Sequence, residues 1–315
     1  MELFTRHASN PVLTADHWPE PVNAVFNPGA TLLGDTTVLL VRVEDRCGLS
    51  HLWVARSANG LDGWEVDPKP LLSPNPDIPT ECWGFEDPRI TFVPELATYV
   101  ITCTSYGPSG PAVYLASTPD FVSLQRHGVV MPPEDKNAAL LPCRFKGDWL
   151  LFHRPVSTTH ASADVWLSRS PDLASWRAPE PVLRCRAHGW WDAARIGMGP
   201  PPIETPDGWL VIYHGVRTTM SGSLYRVGLA LLDLENPVVV RRRSDEWVLS
   251  PQAPYERVGD VPNVVFPCGA VVDPGSGDLR LYYGAADTSV CVATSNVGEL
   301  LDHLRRNGAA ANAYE

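Results

Sequence analysis

The chain predicts an all-β fold, a five-bladed β-propeller with a short C-terminal helix, and three observations carry that expectation. Strand-sized runs rich in apolar residues recur five times, at residues 37–43, 98–104, 148–153, 209–214 and 279–283. A related turn follows in three of the units: VARSANGLDGW ending at Trp64, LASTPDFVSL ending at Leu124 and LSRSPDLASW ending at Trp176. Helical periodicity is almost absent until residues 297–304, where VGELLDHL sets Leu300, Leu301 and Leu304 on one face. A four-stranded unit repeated at blade-length intervals is the signature of a propeller, because each blade can bury its two faces only against its neighbours. A β-sandwich or solenoid is the rival, but a sandwich has no reason to repeat one turn motif at that interval.

Taken in order, the blades fall at about residues 20–70, 80–130, 135–182, 190–247 and 260–297. The first is built on TVLLVRV, the second on TYVITCT, the third on DWLLFH, the fourth on WLVIYH and the fifth on LRLYY. The 31 prolines favour many short elements joined by shaped loops. No Gly/Ser-rich linker divides the chain, so residues 1–315 are expected to form a single domain. The tail GAAANAYE is expected to fray.

Composition narrows the function. A formal charge of −11 argues against nucleic acid, whose affinity comes largely from Lys and Arg neutralising phosphates. The longest apolar runs are far short of the ~20 residues a bilayer requires, so no membrane span is expected. The N-terminal segment lacks the apolar stretch of a signal peptide, and the expected location is the cytoplasm. Seven scattered cysteines without CxxC or Cys/His spacing fit reduced thiols; neither a metal nor another cofactor is expected.

Polar residues at equivalent ends of successive propeller strands converge on the central axis, so charged groups beside apolar strands are the candidates for chemistry. The first blade offers Asn27, Arg42, Glu44, Asp45 and Arg46, and the second Glu86, Asp87 and Arg89. His153 and Arg154 come from the third, Arg195, His214 and Tyr225 from the fourth, and Asp287 from the fifth. Any one of them could equally be an inter-blade ion pair or a capped turn, since burying a charge is costly unless it is paired. His153 reads as a satisfied strand histidine. Asp87 with Asp45 and Asp287 suits a hydroxyl-rich ligand and could supply an acid for a glycosidic oxygen. Arg154, Arg195, His214 and Tyr225 are donors for an oxyanion, the arginines because a planar fork matches phosphate oxygens. Sugar and phosphate side by side point to phosphorolysis. Trp83, Trp190 and Trp191 are candidate stacking platforms for the leaving sugar, with packing between blades as the alternative. Glu44 and Glu86 are expected to pair with neighbouring arginines.

The ordered motifs NAVFNPGA, RVEDR, GFEDPRIT, NAALLP, HRP, IGMGPPPI, GWLVIYHGV, YRVGLALLDLENP, NVVFPCG and YYGAADT resemble glycoside hydrolase family 130, the mannoside phosphorylases, over about residues 9–305. The resemblance implies a five-bladed propeller and an inverting reaction. In it, inorganic phosphate, the co-substrate, cleaves a terminal β-mannoside to α-mannose 1-phosphate and a shortened acceptor. The substrate would be a β-manno-oligosaccharide or a β-mannosyl disaccharide. By motif, Asp87 matches the general acid, relaying its proton through the mannose 3-hydroxyl. Asn27, Arg42, Asn137 and Asp287 match sugar-pocket positions, and Arg154, Arg195, His214 and Tyr225 match phosphate-pocket positions. Arg195 stands where many relatives carry Lys, and Lys136 where some branches carry Arg. A β-mannosidase of the same family and a non-catalytic sugar-binding propeller are the alternatives. Relatives form dimers and larger assemblies, so the resemblance leaves a homo-oligomer open.

Overall fold

In the computed structural model, which describes residues 2–156, 163–187 and 189–309, five antiparallel sheets surround one axis. The first blade runs through strands Ala24–Leu33, Thr36–Glu44, Ser50–Ser57 and Glu65–Val66. The second uses Phe85–Val93, Thr98–Gly107, Gly110–Thr118 and Gln125–Met131. Asp135–Leu140, Trp149–Pro155, Val165–Ser170 and Arg177–Leu183 form the third. In the fourth, Arg195–Met198 pairs with Gly208–Thr219, then Gly222–Leu232 and Val240–Ser244. The fifth holds Val265–Val272, Asp278–Ala285 and Ser289–Asn296.

The recurring apolar runs are all second strands, and the structure shows why they are nearly continuous in hydrophobicity. Alternate side chains of one strand enter two different blade junctions. Val38 and Leu40 pack toward the second blade, whereas Leu39 and Val41 pack toward the fifth. Leu150 and Phe152 face the fourth blade, Trp149 and Leu151 the second. Each junction therefore contains its own apolar cluster. The repeated turn joins the third strand to the fourth: Asn59, Asp120 and Asp172 each accept backbone N–H bonds two and three residues on. The fourth blade has the same device at Asp233, which sequence inspection missed because DLENP does not share the spelling of the other three.

Both chain ends close the ring. Thr5–Arg6 is the outermost strand of the fifth blade, so that blade is completed from outside the expected range of residues 260–297. Helix Val297–Asn307 buries Leu300, Leu301 and Leu304, and Gly308–Ala309 then pairs with Arg243 and Ser244. The first two residues of the tail expected to fray are thus a strand; the rest lies outside the described residues. Among those described, no helix is long and apolar enough to cross a membrane, and all seven cysteines are free.

Near the axis the first strands of blades one, two and three each carry a β-bulge, at Asn27, Asp87 and Asn137. These residues adopt φ of 47°, 49° and 57°, a left-handed conformation that Asn and Asp tolerate better than other residues with a side chain. The bulge re-aims one side chain per blade. It puts all three polar groups into one cavity.

Candidate active site

That cavity, of about 190 Å³, is lined by residues from all five blades. One side is a dense polar network. Asp87 Oδ1 accepts hydrogen bonds from Asn27 Nδ2 at 2.8 Å and from Arg42 Nη1 at 3.2 Å. Arg42 Nη2 donates to Glu86 Oε1 at 3.0 Å, and Lys136 Nζ lies 3.7 Å from Glu86 Oε2. Beneath them Arg89, fully buried, donates to the carbonyls of Asp87, Met198 and Gly199 and, at 3.4 Å, to Asn137 Oδ1. Arg89 thus ties the bulges of the second and third blades to the fourth.

Burial favours the neutral form of Asp87, but Arg42, Lys136 and Arg89 with the Asn27 hydrogen bond outweigh it, holding the carboxyl below its usual range. Asp287 goes the other way. Burial, then the negative charges of Asp87 and Glu86, raise it to about 7 against the pull of Arg42 and Lys136.

The other side of the cavity holds Arg154, Arg195, His214 and Tyr225 and, among the described residues, no carboxylate. Arg154 is buried, its Nε has no partner among the described residues, and burial together with the Arg195 charge lowers it to about 10. Arg195 Nη2 donates to the Tyr225 hydroxyl at 3.1 Å, which leaves the phenol proton free to donate elsewhere. Both ring nitrogens of His214 lack partners while its ring packs on Phe266 at 4.4 Å. Burial and then Arg154, Arg89, Arg195 and Lys136 keep His214 well below its ordinary value, so it is neutral at pH 7. Two guanidiniums side by side in a buried site, with no carboxylate between them among the described residues, repel one another. Their arrangement calls for an anion.

Of the residues expected from sequence, Asn27, Arg42, Asp87, Asn137, Arg154, Arg195, His214, Tyr225 and Asp287 all line this cavity. Asp45 does not, which corrects its expected sugar contact. Its Oδ1 caps a turn by accepting from the N–H groups of Cys47 and Leu49, and Oδ2 lies 3.3 Å from His51. Glu86 pairs with Arg42 as expected, but Glu44 accepts from Asn23 rather than an arginine. His153 is satisfied on both nitrogens by Asp135 and Ser168. The tryptophans do not line the cavity: Trp191 is buried and stacked on Tyr213, Trp190 lies under Arg186, and Trp83 packs edge-on against Tyr106. Sequence reasoning passed over Val261, Val264 and Phe266. The NVVFPCG motif contains two of them, but apolar lining residues look like core until the axis is assembled. Among the described residues no three His, Cys, Asp or Glu side chains gather as metal ligands.

Comparison with known proteins gives the family. The family model described as beta-1,4-mannooligosaccharide phosphorylase matches residues 4–306. The beta-1,4-mannooligosaccharide phosphorylase of Ruminococcus albus is 34% identical over 318 residues, covering 98% of this chain and 92% of its own. A beta-1,2-mannobiose phosphorylase of Listeria innocua is 36% identical over 257 residues, covering 81% of this chain and 69% of its own. The solved structure of beta-1,2-mannobiose phosphorylase from Listeria innocua, in complex with beta-1,2-mannobiose, superposes with a TM-score of 0.88 at 28% identity, covering 96% of this chain and 99% of that one. With a match that spans nearly the whole chain and relatives at this level of identity, the chain belongs to glycoside hydrolase family 130.

Proposed function

We propose that this enzyme is an inverting β-mannoside phosphorylase. The observation that carries the reading is the division of the cavity: a carboxylate-rich half for hydroxyls beside a cationic half with no carboxylate among the described residues. Phosphate held by Arg154, Arg195, His214 and Tyr225 attacks the anomeric carbon of a terminal β-mannose held by Asn27, Arg42, Asn137 and Asp287. Asp87 supplies the proton that the leaving oxygen needs. The products are α-mannose 1-phosphate and a sugar shortened by one unit. An anionic nucleophile needs no general base, so a second carboxylate with that role is not required.

The relatives' names, β-1,4-mannooligosaccharide and β-1,2-mannobiose phosphorylase, support a β-manno-oligosaccharide as substrate. Incubation with β-1,2- and β-1,4-linked manno-oligosaccharides, with and without phosphate, tests the reading. Mannose 1-phosphate should form only with phosphate, and equal sugar release in its absence overturns phosphorolysis in favour of a hydrolase. The reverse reaction, from mannose 1-phosphate and a panel of acceptors, then assigns the linkage.

A further inference from the structure

Three carboxyls, Glu86, Asp87 and Asp287, share this cavity, and the donors around them are unevenly distributed. Arg42 divides its guanidinium between Glu86 and Asp87, and Asn27 adds a second donor to Asp87. Lys136 leans toward Glu86. Asp287 is left without a hydrogen bond or ion pair among the described residues, although it sits in the same polar half. Its position is firmly set. It occupies the hairpin turn between strands Asp278–Ala285 and Ser289–Asn296, with Ala286 and Asp287 at φ of 47° and 53°. The Ala286 backbone bonds to Val261 and Val264 on the loop beside it. Asp260 on that loop faces Asn23 at 3.4 Å. The charges acting on Asp287 are therefore Asp87, Arg42, Glu86 and Lys136.

A general acid ringed by Arg42, Lys136 and Arg89 starts the cycle ionised, and an ionised carboxylate cannot protonate a leaving group. The carboxyl without a donor partner is the one that keeps its proton. We propose that Asp287 holds the catalytic proton of the resting enzyme and passes it, across a hydroxyl of the bound sugar, to Asp87. This rests on the phosphorylase reading and adds to it the source of the proton.

In the step, the Asp287 O–H bond breaks and Asp87 becomes the acid. Asp87 then protonates the bridging oxygen as that oxygen leaves the anomeric carbon with the bonding pair. A phosphate oxygen of the hydrogen phosphate dianion supplies the pair for the new bond. The sugar phosphate formed first is a monoanion that still carries the P–OH proton. Returning that proton to the carboxyl pair releases the dianion and restores Asp287, so the cycle neither consumes nor releases a proton.

The test is a titration of the free, full-length enzyme with isotope-labelled aspartate, followed by carboxyl NMR without sugar or phosphate. One carboxyl should titrate near pH 7. It should vanish in Asp287→Asn and persist at lower pH in Asp87→Asn, where the neighbouring negative charge is gone. A near-neutral titration that survives Asp287→Asn, or none in the wild type, overturns the proposal. Kinetics supply a second readout. Asp287→Asn should lower kcat about a hundredfold or more and move the alkaline limb of the pH profile downward. A raised KM for sugar with unchanged kcat and limb would make Asp287 a binding residue only. Because the titration needs no reaction, it stands or falls separately from phosphate dependence.

Discussion

At the scale of single residues, the site is built from groups whose charges are disfavoured by burial and by like-charged neighbours. Arg154 is buried beside Arg195 with no carboxylate paired to it among the described residues, so its charge costs stability. Arg154→Met should raise the melting temperature of the phosphate-free protein by a few degrees while abolishing the stabilisation that phosphate gives the wild type, about 2.7 kcal/mol at a hundred times Kd. Thermal denaturation with and without phosphate measures both, and a phosphate shift retained by the variant would remove Arg154 from the anion site. Asp287 makes the same point through pH. Its folded-state pKa, about 7, lies above its unfolded value, so its contribution to stability is complete below the unfolded pKa and lost as pH rises through 7. Asp287→Asn should therefore stabilise the free protein more at about pH 8 than at about pH 5. Equal shifts at the two pH values would show that Asp287 is already ionised throughout. For Asp87→Asn, sugar binding should survive while turnover falls about a hundredfold or more; calorimetry beside steady-state kinetics decides it.

At the scale of elements, the bulges convert a periodic sheet into an active site. An ordinary first strand would alternate its side chains between two blade junctions, and the extra residue at Asn27, Asp87 and Asn137 breaks that alternation at one place. The fourth blade contributes space instead. A Cβ on Gly197 would lie 2.5 Å from His214 Cε1 and 2.8 Å from Asn137 Nδ2, one atom in each half of the cavity. Gly197→Ala should keep the fold and cost about a hundredfold in kcat/KM by displacing both side chains. Near-normal kinetics would mean that the His214 ring has room to move. The turn motifs and second strands were legible because they follow spelling and hydrophobic pattern. The bulges were not, because a residue pair such as Asn27-Pro28 is ordinary until its partner strand shows a missing register.

At the scale of the whole molecule, ring closure depends on Glu256, fully buried, which links elements far apart in the chain. It accepts from Arg6 at 2.8 and 3.0 Å, from the Tyr283 hydroxyl at 2.8 Å and from the N–H groups of Gln252 and Ala253. Removing it strands a partly buried arginine and several buried donors. Glu256→Ala should destabilise the protein by about 3 kcal/mol, as breaking a buried ion pair does. An unchanged midpoint in urea would show that the N-terminal strand is not what holds the ring shut.

By itself the sequence determined the propeller, its five blades and the C-terminal helix, and nine of the ten residues it singled out for the site line one cavity, because strand periodicity, turn chemistry and ordered motifs are local properties. Tertiary structure alone decided that Asp45 is a turn cap, that the N-terminal strand completes the fifth blade, and that Phe266 floors the cavity under His214. It also set the surroundings of the two carboxyls apart, raising one and lowering the other. Asp87 and Asp287 are the same residue type two hundred positions apart. Only assembling the blades gives Arg42 and Asn27 to one and leaves the other without a donor among the described residues.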